Sequence, residues 1–334
     1  MTTLLAICLG LATATATAET NDRPCVLIVV GAPGSPEYES RFRQWAGQWQ
    51  AATEKASAES IPIGLGRELG TTDHDRLQSI LAEKAKVGTS REPLWIVLIG
   101  HGTFDGREAK FNLRGPDVTD LELLEWLKPV QRPVAVINCA SASGPFLNRL
   151  SGPDRVIVTA TRSGNEQNYA RFGQHLAEAI ANPRADLDKD GQVSLLEAYL
   201  TAGGRVEESY RAQSQLATEH ALLDDNGDKL GTPADWFRGV RATRRAKDGA
   251  PLDGIRANQF VLIPSDHERK LPAEIRQKRD QLELSIAALR DEKEKLAADA
   301  YYERLEPLMV ELAKLYRAMP PPAPTNNKEH EHRH

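Results

Sequence analysis

A histidine and a cysteine carry the most pointed chemistry in this 334-residue chain. His101, followed by Gly102, comes directly after the apolar run Trp95-Ile96-Val97-Leu98-Ile99-Gly100, and Cys139 comes directly after Val134-Ala135-Val136-Ile137-Asn138. An imidazole beside a thiol removes its proton, the thiolate attacks an acyl carbon, and the imidazolium returns the proton to a leaving amine. Gly102 leaves the backbone open to approach. The N–H groups of Gly102 and Cys139 are therefore candidates to face a developing oxyanion, a donor of that kind being worth about 3 kcal/mol in acyl transfer. Taken singly, a free cysteine is a common core residue and a His-Gly pair is an ordinary turn. Their joint placement after two buried runs favours a site.

A second constellation would hold a cation. Residues 186–197 read DLDKDGQVSLLE and match the D-x-D-x-D-G-x5-E calcium-loop pattern at every defined position. The expected ligands are the carboxylates of Asp186, Asp188 and Asp190, the carbonyl of Gln192, the hydroxyl of Ser194 or a water there, and a bidentate Glu197. Gly191 permits the sharp turn and Val193 anchors the loop to the core. With helices expected over 170–181 and from Ser194 to about Tyr210, this is a single EF-hand-like unit, read as a structural Ca2+ site rather than a sensor. The competing reading is an acidic turn that caps the following helix. A further acidic run contains Asp224, Asp225 and Asp228, but Lys229 stands where the metal loop needs glycine and no glutamate follows at the twelfth position, so a second EF-hand is not expected.

The elements that must position these residues follow from hydrophobic pattern. Continuous apolar, β-branched runs at 25–31, 95–100, 134–138 and 156–160 are bounded by Gly, Pro or polar turns and separated by helix-length segments. Runs without polar alternation are strands buried on both faces, and right-handed helical crossovers make the chain from 24 to about 264 a parallel α/β sheet with helices on both sides. Residues 60–65 form a weaker strand candidate, and 260–263 a late edge strand. Beyond Asp266 the composition shifts to charged helix formers. Ile275, Leu282, Leu289 and Leu296 are spaced by seven, with Arg279 and Lys293 at the companion positions. That half-heptad is expected to pack one stripe of a long helix or helical hairpin on the main domain, with a homodimeric coiled coil as the alternative. Pro307 is expected to kink this segment.

With these residues in view, the chain resembles the caspase, legumain and gingipain superfamily of cysteine peptidases, the legumain-type branch most closely. The likeness lies in His101-Gly102 after LWIVLIG, in Cys139 after PVAVIN and before ASASG, and in FNLRGPDVTDLELLEWL at 111–127, over roughly 24–180. It implies a caspase-like three-layer sandwich with a mostly parallel central sheet. It also implies endopeptidase activity through a thioester acyl-enzyme, with Cys139 as nucleophile, His101 as general base and acid, and Gly102 as an oxyanion donor. Arg41 stands where legumain-like enzymes keep an arginine that favours acidic or amide P1 residues. Asp224, Asp225 and Asp228 would instead suit a pocket for a basic P1 side chain, as in arginine-specific members, or else form a solvated turn. Two alternatives use the same features: a catalytically silent caspase-like binding module, and a transpeptidase or ligase.

Composition sets the context. With 40% hydrophobic and 27% charged residues the chain is globular, and a net charge of −5 matches neither nucleic acid nor an anionic membrane. The expected partner is a peptide or protein substrate. Residues 4–12 are apolar and lead into an Ala/Thr segment with Ala16 and Ala18 in an A-x-A pattern, so 1–18 is expected to be a signal peptide cleaved after Ala18. That run falls far short of the roughly 20 residues a membrane span needs. The expected location is periplasmic or secreted, with no membrane attachment after cleavage. Cys8 leaves with the signal, and Cys25 and Cys139, at opposite ends of their strands, are expected to be free, since a bridge needs Cα atoms within about 7 Å. The resulting division is a signal peptide over 1–18, a peptidase domain over 19–265, a helical extension over 266–318, and a tail over 319–334 with the composition of disorder.

Overall fold

The computed structural model describes residues 23–66, 70–86 and 90–318. The expected signal peptide, with Cys8, and the tail from 319 lie outside the described residues. The four strong apolar runs become β1 (Cys25–Val30), β3 (Leu94–Ile99), β7 (Val134–Asn138) and β8 (Arg155–Thr159), and the weaker run becomes β2 (Glu59–Ile63). These five strands are parallel, in the order β8-β7-β3-β1-β2. Two short strands the apolar pattern does not reveal, β9 (Leu222–Asp224) and β10 (Thr232–Pro233), extend the β8 edge antiparallel, completing seven.

The strands are continuous in hydrophobicity because both faces are covered. One face presents Val26, Ile28, Trp95, Val97, Ile137 and Val158 to α1 (Pro36–Lys55), α5 (Phe172–Ala179) and α6 (Leu195–Ala212). The other presents Leu27, Val29, Ile96, Leu98 and Val136 to α2 (Asp73–Lys86), α3 (Asp120–Leu127) and α4 (Gly144–Leu150). This is the expected three-layer α/β sandwich, with alternate strand residues feeding two cores. Between His101 and α3 the chain makes a small antiparallel sheet, β4 (Gly102–Phe104), β5 (Ala109–Phe111) and β6 (Val118–Thr119). Helix α3 starts on a capping box in which Thr119 and Glu122 satisfy each other's backbone N–H. A separate two-stranded ribbon joins β11 (Phe237–Arg238) to β12 (Arg241–Ala242).

Residues 260–263 are not an edge strand of the main sheet. Val261 makes only an isolated bridge to Ser194, while Phe260 and Leu262 are buried in the core, the Phe260 ring 5.7 Å from Trp95. The β2 and β10 strands already occupy the two edges.

After α7 (Ile255–Gln259) and α8 (Asp266–Lys270), the helical extension is a hairpin of α9 (Ala273–Asp291) and α10 (Ala298–Ala318), with Pro307 carried inside α10. Tyr316 bonds Glu283 at 3.1 Å and Arg304 bonds Glu292 at 3.0 Å, which fixes the antiparallel register. Of the half-heptad stripe, Leu282 and Leu289 are buried within the chain beside Ile286, while Ile275 and Leu296 are half-buried and Leu296 lies beyond the end of α9. Arg279 breaks the heptad for a reason: it forks onto Glu268 at 2.8 Å through both terminal nitrogens. A homodimer would need another surface, and Tyr302, Met309, Val310 and Tyr316 on α10 remain exposed. Among the described residues no helix is long and apolar enough to cross a membrane.

Candidate active site

Strands β3 and β7 are neighbours with Leu98 opposite Asn138, so His101 and Cys139 emerge at adjacent carboxyl ends of the sheet, where open α/β folds place their sites. Cys139 continues the ladder, its N–H donating to Leu98 O at 2.9 Å. Its side chain turns to the α1/α5 face and is 1% exposed. Gly173, in the first turn of α5, is pressed against it: a Cβ there would lie 2.6 Å from Cys139 Cβ, 3.1 Å from Sγ and 2.9 Å from the Trp45 ring. Burial pushes the Cys139 thiol up to about 12.

His101 sits in an aromatic cradle, its ring centroid 4.7 Å from Tyr38, 5.1 Å from Phe42 and 6.4 Å from Tyr169. Its Nε2 lies 3.2 Å from Pro33 O in the loop after β1. A carbonyl only accepts, so Nε2 carries the proton of the neutral ring and Nδ1 is left with its lone pair. Burial lowers the His101 pKa below the ordinary imidazole value, against the opposing effect of the Pro33 bond. Among the described residues no hydrogen bond joins His101 to Cys139. The pair is a neutral base and a neutral thiol at neighbouring strand ends, and with the thiol 1% exposed a substrate reaches Sγ only after its cover moves.

The expected oxyanion donors are corrected by the backbone. The Cys139 N–H is spent on Leu98 O, and the Gly102 N–H points at Ser141 Oγ at 3.4 Å. Ser141 donates back to Gly102 O at 3.2 Å. The glycine is needed for close packing rather than open approach: a Cβ on Gly102 would come within 2.3 Å of Ser141 O. Asn138 points to the opposite face, where its Oδ1 accepts the Ala140 N–H at 3.1 Å, bracing the turn after the cysteine.

Arg41 is brought to this end of the sheet. It lies over the Tyr169 ring at 5.6 Å while pairing with Glu37 at 2.7 Å, both partners substantially exposed. Asp224, Asp225 and Asp228 are not brought there. Strand β9 runs antiparallel to β8, so the chain leaves Asp224 at the amino-terminal edge of the sheet, where Gly227 packs on Gly152. Their carboxylates serve backbone amides. Asp224 accepts from Gly227 and Lys229, Asp225 from Gly254 and Ala257 at the start of α7, and Asp228 from Leu230. Neither a P1 pocket nor a solvated turn describes them, since Asp224 and Asp225 are buried.

The acidic loop of 186–197 also lies away from the dyad, beyond the far end of α5 and next to Ser265, whose N–H donates to Gln192 Oε1. Asp186, Asp188 and Asp190 each offer an oxygen, all within 4.8 Å of one another. Gly191 has φ +90°, as the turn requires. Partial burial, then the neighbouring Asp188 charge, raises Asp190 to about 6 against its hydrogen bonds to Gln192. Burial, then Glu197, raises Asp188. Three hard oxygens crowded this closely fit a hard cation. Glu197 lies over the loop, Oε1 accepting from Leu187 and Asp188. Ser194 departs from the expected set: it is the N-cap of α6, its buried hydroxyl engaged by Glu197 and Asn258.

Pro33, Tyr38, Phe42, Tyr169 and Gly173 are site residues that sequence reasoning missed. The only local signal was the Ala32-Pro33-Gly34-Ser35 turn ahead of α1, with Ser35 as its N-cap.

No protein-family model matches the sequence, and no curated protein shows detectable similarity to it. Among solved structures, the Drosophila initiator caspase Dronc is similar at 12% identity and a TM-score of 0.41, over 61% of this chain and 80% of that one. Raptor of Chaetomium thermophilum is similar at 11% identity and a TM-score of 0.33, over 47% of this chain and 17% of that one. These likenesses are distant, and the fold rests on the sheet order and layers described above.

Proposed function

We propose that this chain is a cysteine endopeptidase of the caspase-like group, exported from the cytoplasm and stabilised by calcium. The observation that carries the reading is the emergence of His101 and Cys139 at the carboxyl ends of adjacent parallel strands, with the imidazole held through Nε2 and its Nδ1 unprotonated. In the reaction, Nδ1 of His101 takes the thiol proton as Sγ attacks the peptide carbonyl carbon. The tetrahedral adduct collapses with return of that proton to the leaving amine, giving a thioester on Cys139. Water, deprotonated by the same imidazole, then releases the acid and restores the thiol. A neutral imidazole of lowered pKa suits the base role, and the aromatic cradle keeps water away from the ring. Arg41 supports acceptance of an acidic or amide P1 side chain, because its exposed guanidinium lies over Tyr169, one of the rings that flank His101. Asp186, Asp188, Asp190, the Gln192 carbonyl and Glu197 would hold the Ca2+, which supplies charge neutralisation to the loop and no step of the chemistry.

The test is hydrolysis of a mixed peptide library by wild type and by Cys139→Ala. Cleavage by the wild type that disappears in the variant is the expected result. Equal cleavage by both, or none by either after calcium addition, would reject the reading.

A further inference from the structure

Hydrogen bonds around His101 close a ring that no sequence motif marks. The imidazole is held by Pro33 O at 3.2 Å, while the His101 carbonyl accepts the Asn112 N–H at 3.0 Å. Asn112 O in turn accepts the N–H of Ala32, the residue before Pro33, at 2.9 Å. The turn after β5 thus ties the backbone of the histidine to the loop whose carbonyl orients its ring. One carboxylate shapes that turn. Asp117 Oδ1 accepts the Leu113 N–H at 3.1 Å and Oδ2 accepts Asn112 Nδ2 at 3.0 Å. Gly115, at φ +110°, lets the chain reverse between them. The Asn112 amide also reaches Thr103 Oγ1, at 3.4 Å, on the strand that follows the histidine.

We propose that Asp117 is a positioning residue for His101. It touches no reacting atom. By holding Asn112 and Leu113 it keeps the Asn112 peptide bonded to both His101 and Ala32, and so keeps Pro33 O on Nε2 and Nδ1 in its unprotonated form. The fixed distance matters because a displacement of about 1 Å at a catalytic group costs on the order of 100-fold in rate. The inference rests on His101 being the base of the proposed dyad.

The readout is the tautomer of His101, from nitrogen chemical shifts of histidine-labelled protein at a pH above its titration, alongside kcat and KM. The variants are Asp117→Ala, Asn112→Asp, and the exchange Asn112→Asp/Asp117→Asn, which reverses donor and acceptor while still offering an oxygen to Leu113. Wild type is expected to show only the Nε2–H form. Each single variant is expected to show a mixture of tautomers, with kcat down on the order of 100-fold and KM little changed. The exchange is expected to restore the single tautomer and most of the lost rate. A purely structural carboxylate would lower the melting temperature and leave the tautomer alone, so folded single variants with the wild-type tautomer overturn the proposal. If the single variants do not fold, an exchanged protein that folds with mixed tautomers overturns it, as does failure of the exchange to restore folding. A wild type that hydrolyses no peptide defeats the endopeptidase reading, while the tautomer still decides the role of Asp117.

Discussion

Cys139 and His101 have opposite departures from their ordinary acidities with one cause, burial, which disfavours whichever form is charged. The thiol is therefore no stored thiolate, and the proposed reaction requires its proton to leave to His101 during attack. Because His101 stays neutral to lower pH than an exposed imidazole, the acid limb of kcat/KM is expected below about 6.5. The same shift links to stability: the unfolded chain takes up the proton first as pH falls, so the stability His101 contributes is present above that range and lost below it. Gly173→Ala is expected to crowd Sγ and Trp45, costing about 1–3 kcal/mol of stability and most of the activity, as paired melts and rate assays would read. The placement of His101 and Cys139 at adjacent strand ends was legible in the sequence because each directly follows an unbroken apolar run, and such runs are buried strands. Pro33, Tyr169 and Gly173 were not, because a loop or helix is brought to the sheet edge by packing, and their own neighbours in sequence do not announce it. Gly102 was expected to leave the backbone open to approach, whereas its small size serves contact with Ser141 O and its N–H points at Ser141 Oγ.

At the scale of elements, the parallel strands and their order of burial were legible in hydrophobic pattern, whereas β9 and β10 were not. Three- and two-residue strands carry no pattern, and their acidic neighbours read as solvent-facing. Those acids are structural. Asp225 caps the start of α7 with both oxygens, and its backbone N–H donates to Asp253, whose other oxygen accepts the Thr232 hydroxyl at 2.5 Å. Burial first, then the Asp225 charge, pushes Asp253 well above the ordinary carboxylate range. The folded state thus binds this proton more tightly than the unfolded chain, so stability is lost as pH rises above the ordinary carboxylate value of about 4. Asp253→Asn keeps the neutral shape without that proton. Its melting temperature is expected to match wild type near pH 4.5 and exceed it progressively towards pH 9; parallel curves would show that Asp253 is ionised in the fold. Thr119→Ala removes the capping box of α3 and is expected to cost about 1 kcal/mol in urea unfolding.

The whole molecule separates its candidate site from its acidic and helical features between the two edges of one sheet. The dyad, its aromatic cradle and Arg41 occupy the carboxyl edge. The amino edge carries the acidic loop around Asp224 and the docked helical extension, which Arg269 ties to Lys55 O at the end of α1 and Asp291 to the Leu252 N–H. The division into a sheet domain and a helical extension was legible from the change of composition near Asp266. Docking of the extension was not, since it depends on pairs such as Arg279 with Glu268 that a heptad count reads as faults. A calcium ion held by the proposed loop, away from the dyad, would act as a stabiliser at a distance. Chelation is expected to lower the melting temperature by several degrees, Asp188→Ala to abolish that response, and the initial rate of still-folded protein to change little.

Trapping the acyl-enzyme decides whether Cys139 is the nucleophile: wild type is quenched in acid during turnover of a peptide ester, and the adduct is located by mass spectrometry. A single acyl group on Cys139, absent from Cys139→Ala and from His101→Ala, is the expected result. Continued hydrolysis with no adduct, or an adduct on another residue, would contradict nucleophilic attack by Cys139.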